Sequence, residues 1–367
     1  MVRHRWVCLA VSLVLFIGGA VVANASDGWN RVTGPPELEL PRDHGAHPDF
    51  RTEWWYVTGL VRDEDGRRYG FQITFFRNGL APGAAPADGS SLRARQIVAA
   101  HLAIADIDAG RFHHAERLRR AGLGLAGFSD TGLEVWLDNW KMHQGADDRI
   151  VMTAFDQRGF GLDLVLVPKK PLVRHGDAGY SRKGSEPGNA SVYLSWTRLA
   201  VSGELEVDGR RLAVEGGAWF DHEWGTSTLG EGVTGWDWIS LRLDDGRDLM
   251  VFRLRRADGS FEPRSAGTLV EADGRAVPFS REDFTLEELG WWSSPATGGR
   301  YPTHWRLQVP SAGVDVEVRS LLDASELDSS ATTGVVYWEG PIESEGSHRG
   351  EGYLEMTGYA GTMEGRF

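Results

Sequence analysis

Residues 44–59 read HGAHPDFRTEWWYVTG, from His44 to Gly59, with Trp54, Trp55 and Tyr56 adjacent. Side chains in a strand alternate faces, so a period of two makes the end of this stretch a β-strand. Trp54, Tyr56 and Thr58 then share one face, and Glu53, Trp55 and Val57 the other. Glu53 therefore sits beside an indole and a branched aliphatic. Such a carboxyl lies either at the rim of a sheet or in an apolar pocket that raises its pKa.

Outward from Thr52 the chain is a succession of short apolar or alternating runs separated by tight turns. Asp65-Gly66, Asp208-Gly209, Asp245-Gly246, Asp258-Gly259 and Asp273-Gly274 each separate two such runs, and Asp-Gly supplies the positive φ that a two-residue hairpin needs. The pattern predicts strands at 69–77, 96–106, 133–142, 150–156, 161–167, 192–201 and 211–215. It predicts further strands at 236–243, 248–256, 304–309, 314–321 and 353–359, and one short helix at 281–289. This is an all-β chain of antiparallel sandwiches or up-and-down barrels, and two units fit the length better than one. The glycine-rich segment 225–235 is the expected boundary, giving domains at 26–228 and 229–367. Residues 82–91 and 169–189 are rich in breakers, and the second reads as a long functional loop or lid.

Residues 1–25 read as an export signal. Arg3 and Arg5 precede an apolar run from Val7 to Val22, and Ala23-Asn24-Ala25 supplies a small-x-small cleavage site. The only cysteine, Cys8, lies in that segment, so the mature protein is held by its core without disulfides. The formal charge of −13 falls to about −15 once Arg3 and Arg5 are removed. Nucleic acid and anionic membrane surfaces are poor partners for such a surface. The chain carries 15 tryptophans, all but Trp6 in the mature part; some must pave a core or a pocket.

A second dense stretch runs Trp219-Phe220-Asp221-His222-Glu223-Trp224-Gly225, followed by Gly235-Trp236-Asp237-Trp238. Asp237, Ile239 and Leu241 fall on one strand face, and Trp236, Trp238 and Ser240 on the other. Asp237 is thus an acid on an otherwise core-like face. It is either a proton donor kept neutral by burial or one half of a buried ion pair with an arginine. His222, flanked by Phe220 and Trp224, is either a hydrogen-bonded core histidine or a site residue.

Metal chemistry has less support. His44 and His47 are spaced His-x-x-His, and Glu53 or His222 could complete a set, but Pro48 follows and no helix presents the pair. The histidines then fix the first loop by hydrogen bonds, and no metal is assigned. No Gly-x-Ser-x-Gly elbow is present, and the mature chain has no thiol nucleophile. Gly122-x-Gly124-x-x-Gly127 matches a dinucleotide string without the flanking strand and helix that give it meaning.

Pro41 to Pro48 running into Arg51 to Gly59 resembles the opening of the AttH-like, carotenoid 1,2-hydratase-related family. Trp219 to Gly225, Gly235 to Trp238, Val336 to Pro341 and Gly352 to Tyr359 resemble later blocks of the same family. The resemblance implies two tandem lipocalin-like β-barrels. It also implies acid-catalysed addition of water to a carbon–carbon double bond of an isoprenoid or similar lipid, without a cofactor. In that chemistry Asp237 or Glu53 is the expected proton donor, with His222 or His44 orienting the acid or the water. Trp54, Trp55, Tyr56, Trp224, Trp236 and Trp238, with His47, Asp221 and Glu223, are the expected ligand-binding set, the rings stabilising a passing cation. The alternatives are a carrier that hands on a lipophilic molecule, with envelope transport machinery as partner, or a metal-dependent secreted hydrolase.

Overall fold

The computed structural model of this chain describes residues 28–82, 95–145, 147–226 and 229–363. Residues 1–25, expected to be an export signal and carrying Cys8, lie outside the described residues, as does most of 82–91.

The chain opens with β1 (Thr52–Asp63), β2 (Arg68–Gly79), β3 (Gln96–Asp106) and β4 (Arg111–Arg120). It continues through β5 (Ala126–Phe128), β6 (Glu134–Leu137), β7 (Trp140–Gln144), β8 (Ile150–Asp156) and β9 (Phe160–Pro168). Two short strands, β10 (Val173–Arg174) and β11 (Tyr180–Arg182), precede the long β12 (Ala190–Val207) and β13 (Arg210–Gly225). A second series begins with β14 (Val233–Leu243), β15 (Asp248–Arg256), β16 (Ala266–Val270), β17 (Ala276–Ser280) and β18 (Thr285–Ser293). It ends with β19 (Arg300–Val309), β20 (Val314–Ser320), β21 (Glu326–Ser329), β22 (Val335–Gly346) and β23 (Gly350–Met356).

Among the described residues these form two antiparallel sheets of 13 and ten strands. The first curls into a nearly closed barrel, the second into a half-barrel; this is the tandem lipocalin-like architecture that the family resemblance implies, and it agrees with the all-β strand pattern. In each sheet the opening strand pairs with a closing one: β1 lies beside β13, and β14 beside β23. That pairing brings the dense stretches together, with Glu53 opposite Trp224, Trp55 opposite His222 and Tyr56 opposite Asp221. At Asp208-Gly209 both residues take positive φ, 51° and 73°, the geometry that matches a two-residue turn to twisted strands.

Alternation sorts the side chains into three layers. Trp55 and Val57 join Phe71, Ile73 and Leu102 inside the first barrel. Ile239, Leu241 and Leu354 fill the second with Trp305 and Trp338. Tyr56, Trp219, Trp238, Phe252 and Tyr353 form a third cluster between the two sheets. Both faces of β1 are therefore buried, which is why its sequence reads as an almost unbroken apolar run. Each large side chain so covered contributes about 1.5–3 kcal/mol.

The loop at 169–189 closes the seam between the sheets. Its β10 and β11 pair with β12, and its Lys170 reaches Asp248 of the second sheet at 2.7 Å. Three local expectations are corrected. The predicted strand at 133–142 is two strands, β6 and β7, because Asp138 turns the chain with a φ of 54°. The predicted helix at 281–289 is a single 3-10 turn, Arg281–Asp283, closed by a reciprocal Ser280–Asp283 cap. From Thr285 it becomes an edge strand with alternating exposure. β4, whose run RFHHAERLRR carries too few apolar residues to signal a strand, pairs along its whole length with β3.

Candidate ligand cavity and the histidine–carboxylate anchor

The outward faces of the two sheets enclose a cavity of ≈ 340 Å³. β1 and β2 contribute Trp54, Tyr56 and Phe76, and β14 contributes Trp236 and Trp238. Tyr193 of β12 and Tyr337 of β22 add two phenols, and the wall is predominantly apolar. Such a wall suits a lipophilic ligand.

Into it project four carboxyl groups: Asp221 and Glu223 from the first sheet, Glu339 and Glu355 from the second. Asp221 and Glu223 are two residues apart on β13 and so share a face. Glu339 and Glu355 are direct cross-strand partners on β22 and β23. Asp221 accepts hydrogen bonds from Trp219 Nε1 at 2.6 Å, from Tyr193 Oη at 2.8 Å and from the Ser195 hydroxyl. Burial nevertheless pushes it up to about 7, those three donors opposing the shift. Glu355, which accepts from Trp236 Nε1 at 3.1 Å, is likewise raised by burial to about 7. Glu339 accepts from the Tyr56 hydroxyl, and burial together with its neighbour Glu355 pushes it well above the ordinary carboxyl range.

The cations at the cavity are few. Lys183 Nζ lies 3.3 Å from Glu223 Oε1 and 3.9 Å from the Phe252 ring centroid. His101, bonded through Nδ1 to the Tyr337 hydroxyl at 2.8 Å, is lowered by burial to about 3 and is neutral.

The first dense stretch builds something different on the opposite face of β1. Glu53 Oε1 accepts from His47 Nδ1 at 2.7 Å and from His222 Nε2 at 2.9 Å. Its Oε2 accepts from Arg77 Nε at 2.7 Å and from the His47 backbone N–H at 2.8 Å. Burial alone would raise this carboxyl, but the Arg77 guanidinium and the two imidazoles outweigh it and hold Glu53 well below the usual range. His47 stacks on Trp224 at 3.7 Å, and Trp55 Nε1 donates to the His44 carbonyl at 3.1 Å. Burial, then the nearby His222, lowers the His44 imidazole to about 4. The ligating atoms of His47, Glu53 and His222 lie within 4.8 Å of one another, so the three could offer a metal two nitrogens and one oxygen. Against that, the carboxylate is already saturated by four N–H donors, and the buried Arg77 opposes a second cation.

The expected site residues thus divide. Trp54, Tyr56, Trp236, Trp238, Asp221 and Glu223 meet at the cavity. Trp55 belongs to the first core and Trp224 packs against Val32 and Leu194. Glu53, His44, His47 and His222 form the anchor that ties the first loop to β1 and β13. Asp237 is the ion-pair alternative: it faces the second core, 2.8 Å from Arg253, with the Tyr359 hydroxyl donating to it at 2.9 Å. Glu53 and Asp237 are therefore corrected as cavity acids, because each is bonded to a buried arginine on the face away from the cavity. Glu339 and Glu355 take that place. Their signal is in the sequence, since each stands between Tyr337 and Pro341 or between Tyr353 and Thr357 on one strand face.

Two lipocalin-like sheets closing on an aromatic, acid-lined cavity define the class of this protein. The chain belongs to the AttH-like family, whose profile matches residues 31–359. It is 36% identical to an AttH candidate from Nitrosomonas europaea, whose crystal structure superposes with a TM-score of 0.81 over 90% of this chain and 99% of that one. Kievitone hydratase from Nectria haematococca shares the fold, with a TM-score of 0.68 at 14% identity over 91% of this chain and 96% of that one. Dehydratase asqC of Emericella nidulans is 25% identical over 162 residues, 41% of this chain and 43% of that protein. The chain therefore matches less than half the length of that curated relative.

Proposed function

We propose that this protein is exported and adds water to, or removes it from, a lipophilic substrate held in the cavity between the two sheets. The observation that carries this reading is the Glu339–Glu355 pair: two carboxyls directly opposite across adjacent strands, raised by burial and facing an aromatic wall. Two such groups share protons rather than ionise together. A pair that shares its protons in this way can present one carboxyl as an acid beside one carboxylate as a base.

The chemistry balances on these groups alone. Glu339 donates its proton to one alkene carbon, the π pair forms the new C–H bond, and a tertiary cation remains at the other carbon. A water oxygen bonds to that cation, and Glu355 takes the proton the oxonium releases. Redistribution of the proton across the pair resets the site, and the reverse sequence is a dehydration. The faces of Trp54, Trp236 and Trp238 stabilise the positive charge while it exists, and Tyr56 and Trp236 hold the two carboxyls in place. An isoprenoid or similar branched polyene is the substrate class that supplies both the apolar length and the tertiary centre. The dehydratase name of the Emericella nidulans relative is in keeping with water chemistry at a carbon centre.

The test is to purify the mature protein, identify its co-purifying small molecules by mass spectrometry, and incubate those and a panel of branched polyenes in H₂¹⁸O. An 18O-labelled alcohol that E339Q and E355Q fail to make, while still retaining the substrate, supports the reading. Ligand retention with no product from the unsubstituted protein makes it a carrier.

A further inference from the structure

The charges around the cavity are lopsided, and the imbalance says what kind of polar group the ligand brings. Four carboxyls line the cavity, and Lys183 is the one lysine or arginine among the described lining residues. Lys183 is held by Glu223 and lies over the Phe252 ring. Among the described residues no lysine or arginine of the second-sheet wall faces the Glu339–Glu355 pair, whose bonded partners are the neutral Tyr56 and Trp236. Glu339 is only 1% exposed, so its carboxyl has little water to lean on. Trp54, Trp236, Trp238, Tyr193 and Tyr337 complete the wall, and aromatic rings beside carboxylates are the surroundings that favour an organic cation.

We infer that the cavity selects positive charge: it takes lipophiles ending in a protonated amine in preference to neutral alcohols, and rejects fatty carboxylates. This rests on reading the cavity as the ligand site, but not on any water chemistry there. A carboxylate headgroup would bring a fifth acid into a site with one paired lysine. An ammonium would pair with the cavity carboxyls and lie against the indole faces. If the proposed hydration also holds, an ammonium placed where the cation develops mimics the intermediate and inhibits the reaction.

The experiment compares decylamine, 1-decanol and decanoate at pH 7 by tryptophan quenching and calorimetry on the whole mature protein. Decylamine is expected to bind about tenfold or more tightly than decanoate, at one site, with decanol between them. E339Q and E355Q should each shrink that preference about fivefold or more while changing decanol affinity less than twofold. Decanol binding thus reports that each variant is folded. Glu64→Gln on the exposed surface makes the same charge change away from the cavity and should leave the preference intact. Decanoate binding as tightly as decylamine overturns the inference, as does a preference that survives in both cavity variants. A confirmed preference with no hydration product leaves this inference standing and removes the enzyme reading. Product formation with a reversed preference does the opposite.

Discussion

Glu339 and Glu355 stand directly opposite each other on β22 and β23, one anchored by the hydroxyl of Tyr56 from the other sheet and one by the indole of Trp236. An amide at either position keeps one acceptor oxygen for those donors and replaces the titrating oxygen by an NH2 group that cannot give up or take the proton. E339Q and E355Q are therefore expected to fold, bind apolar ligand and lose turnover by about two orders of magnitude or more. Single-turnover assays with a bound polyene check this.

The same pair sets a pH dependence of stability. The folded Glu355 carboxyl is raised to about 7 from 4.5, so between these values the folded state binds more protons than the unfolded one. Its contribution is fully present below about pH 4.5 and is lost as pH rises through 7. Glutamine has no such loss. The difference in Tm between E355Q and the unsubstituted protein should be near zero at pH 4.5 and grow to a few degrees in favour of E355Q at pH 8. Thermal melts across that range decide it, and a difference of the opposite sign means that the ionised Glu355 has a cation partner.

Glu53 has the opposite sign. Its carboxyl lies well below the ordinary range because Arg77, His222 and His47 outweigh burial, so its contribution is present above about pH 4.5 and is lost only as pH falls through its depressed folded value. E53Q leaves Arg77, fully buried, without its anion. A loss of about 3–5 kcal/mol is expected, measured by urea unfolding at pH 7. A companion variant, with Glu53→Leu and Arg77→Met together, should recover part of it, since apolar replacement of a buried pair is often tolerated.

These contrasts show what the residues disclosed on their own. Period-two alternation sorted β1 and β14 correctly, putting Trp54, Tyr56, Trp236 and Trp238 on one side and Trp55, Val57, Ile239 and Leu241 on the other. It marked an acid on a core face, but the arginine that neutralises it lies elsewhere in the chain. Arg77 is 24 residues from Glu53 and Arg253 is 16 from Asp237, each brought alongside only by strand pairing. Of the cavity acids, Asp221 and Glu223 stand in the dense stretch that the sequence marks, whereas Glu339 and Glu355 escape it for the complementary reason. Each shares its strand face with a tyrosine, Tyr337 or Tyr353, but a lone strand does not show that this face becomes buried when the second sheet meets the first. Alternation shows which face a side chain takes; what covers that face depends on how two sheets dock.

Asp237 and Asp221 separate the two kinds of buried acid experimentally. D237N removes the anion from Arg253 and Arg255 and should cost about 3 kcal/mol, yet leave decanol affinity within about twofold because Asp237 faces away from the cavity. D221N swaps an acceptor for an amide that cannot satisfy the donors Trp219, Tyr193 and Ser195 together. It should cost about 1–3 kcal/mol and also change ligand binding. Paired unfolding and quenching titrations distinguish them, and loss of binding in a fully folded D237N would return that residue to the site.

The cavity exists only while the sheets keep their relative position, and Asp248 is the clamp that holds it. Its Oδ1 accepts from Arg198 Nε at 2.9 Å and Nη2 at 2.7 Å, and its Oδ2 from Thr197 Oγ1 at 2.9 Å, with Lys170 Nζ at 2.7 Å. All four contacts cross from the first sheet or its loop to β15. D248N keeps the shape and halves the acceptor capacity, leaving Lys170 and Arg198 partly unpaired in a buried seam. Breaking such a network costs about 3–5 kcal/mol. Because the loss falls on the contact between sheets and not on either core, it should loosen docking before it unfolds a sheet. We therefore expect new proteolytic cleavage in the segment 169–189, a larger radius of gyration in solution scattering, and ligand affinity reduced about tenfold or more. Unchanged scattering and affinity, with only a lowered Tm, would show that the aromatic layer of Tyr56, Trp219 and Trp238 holds the sheets together without the clamp.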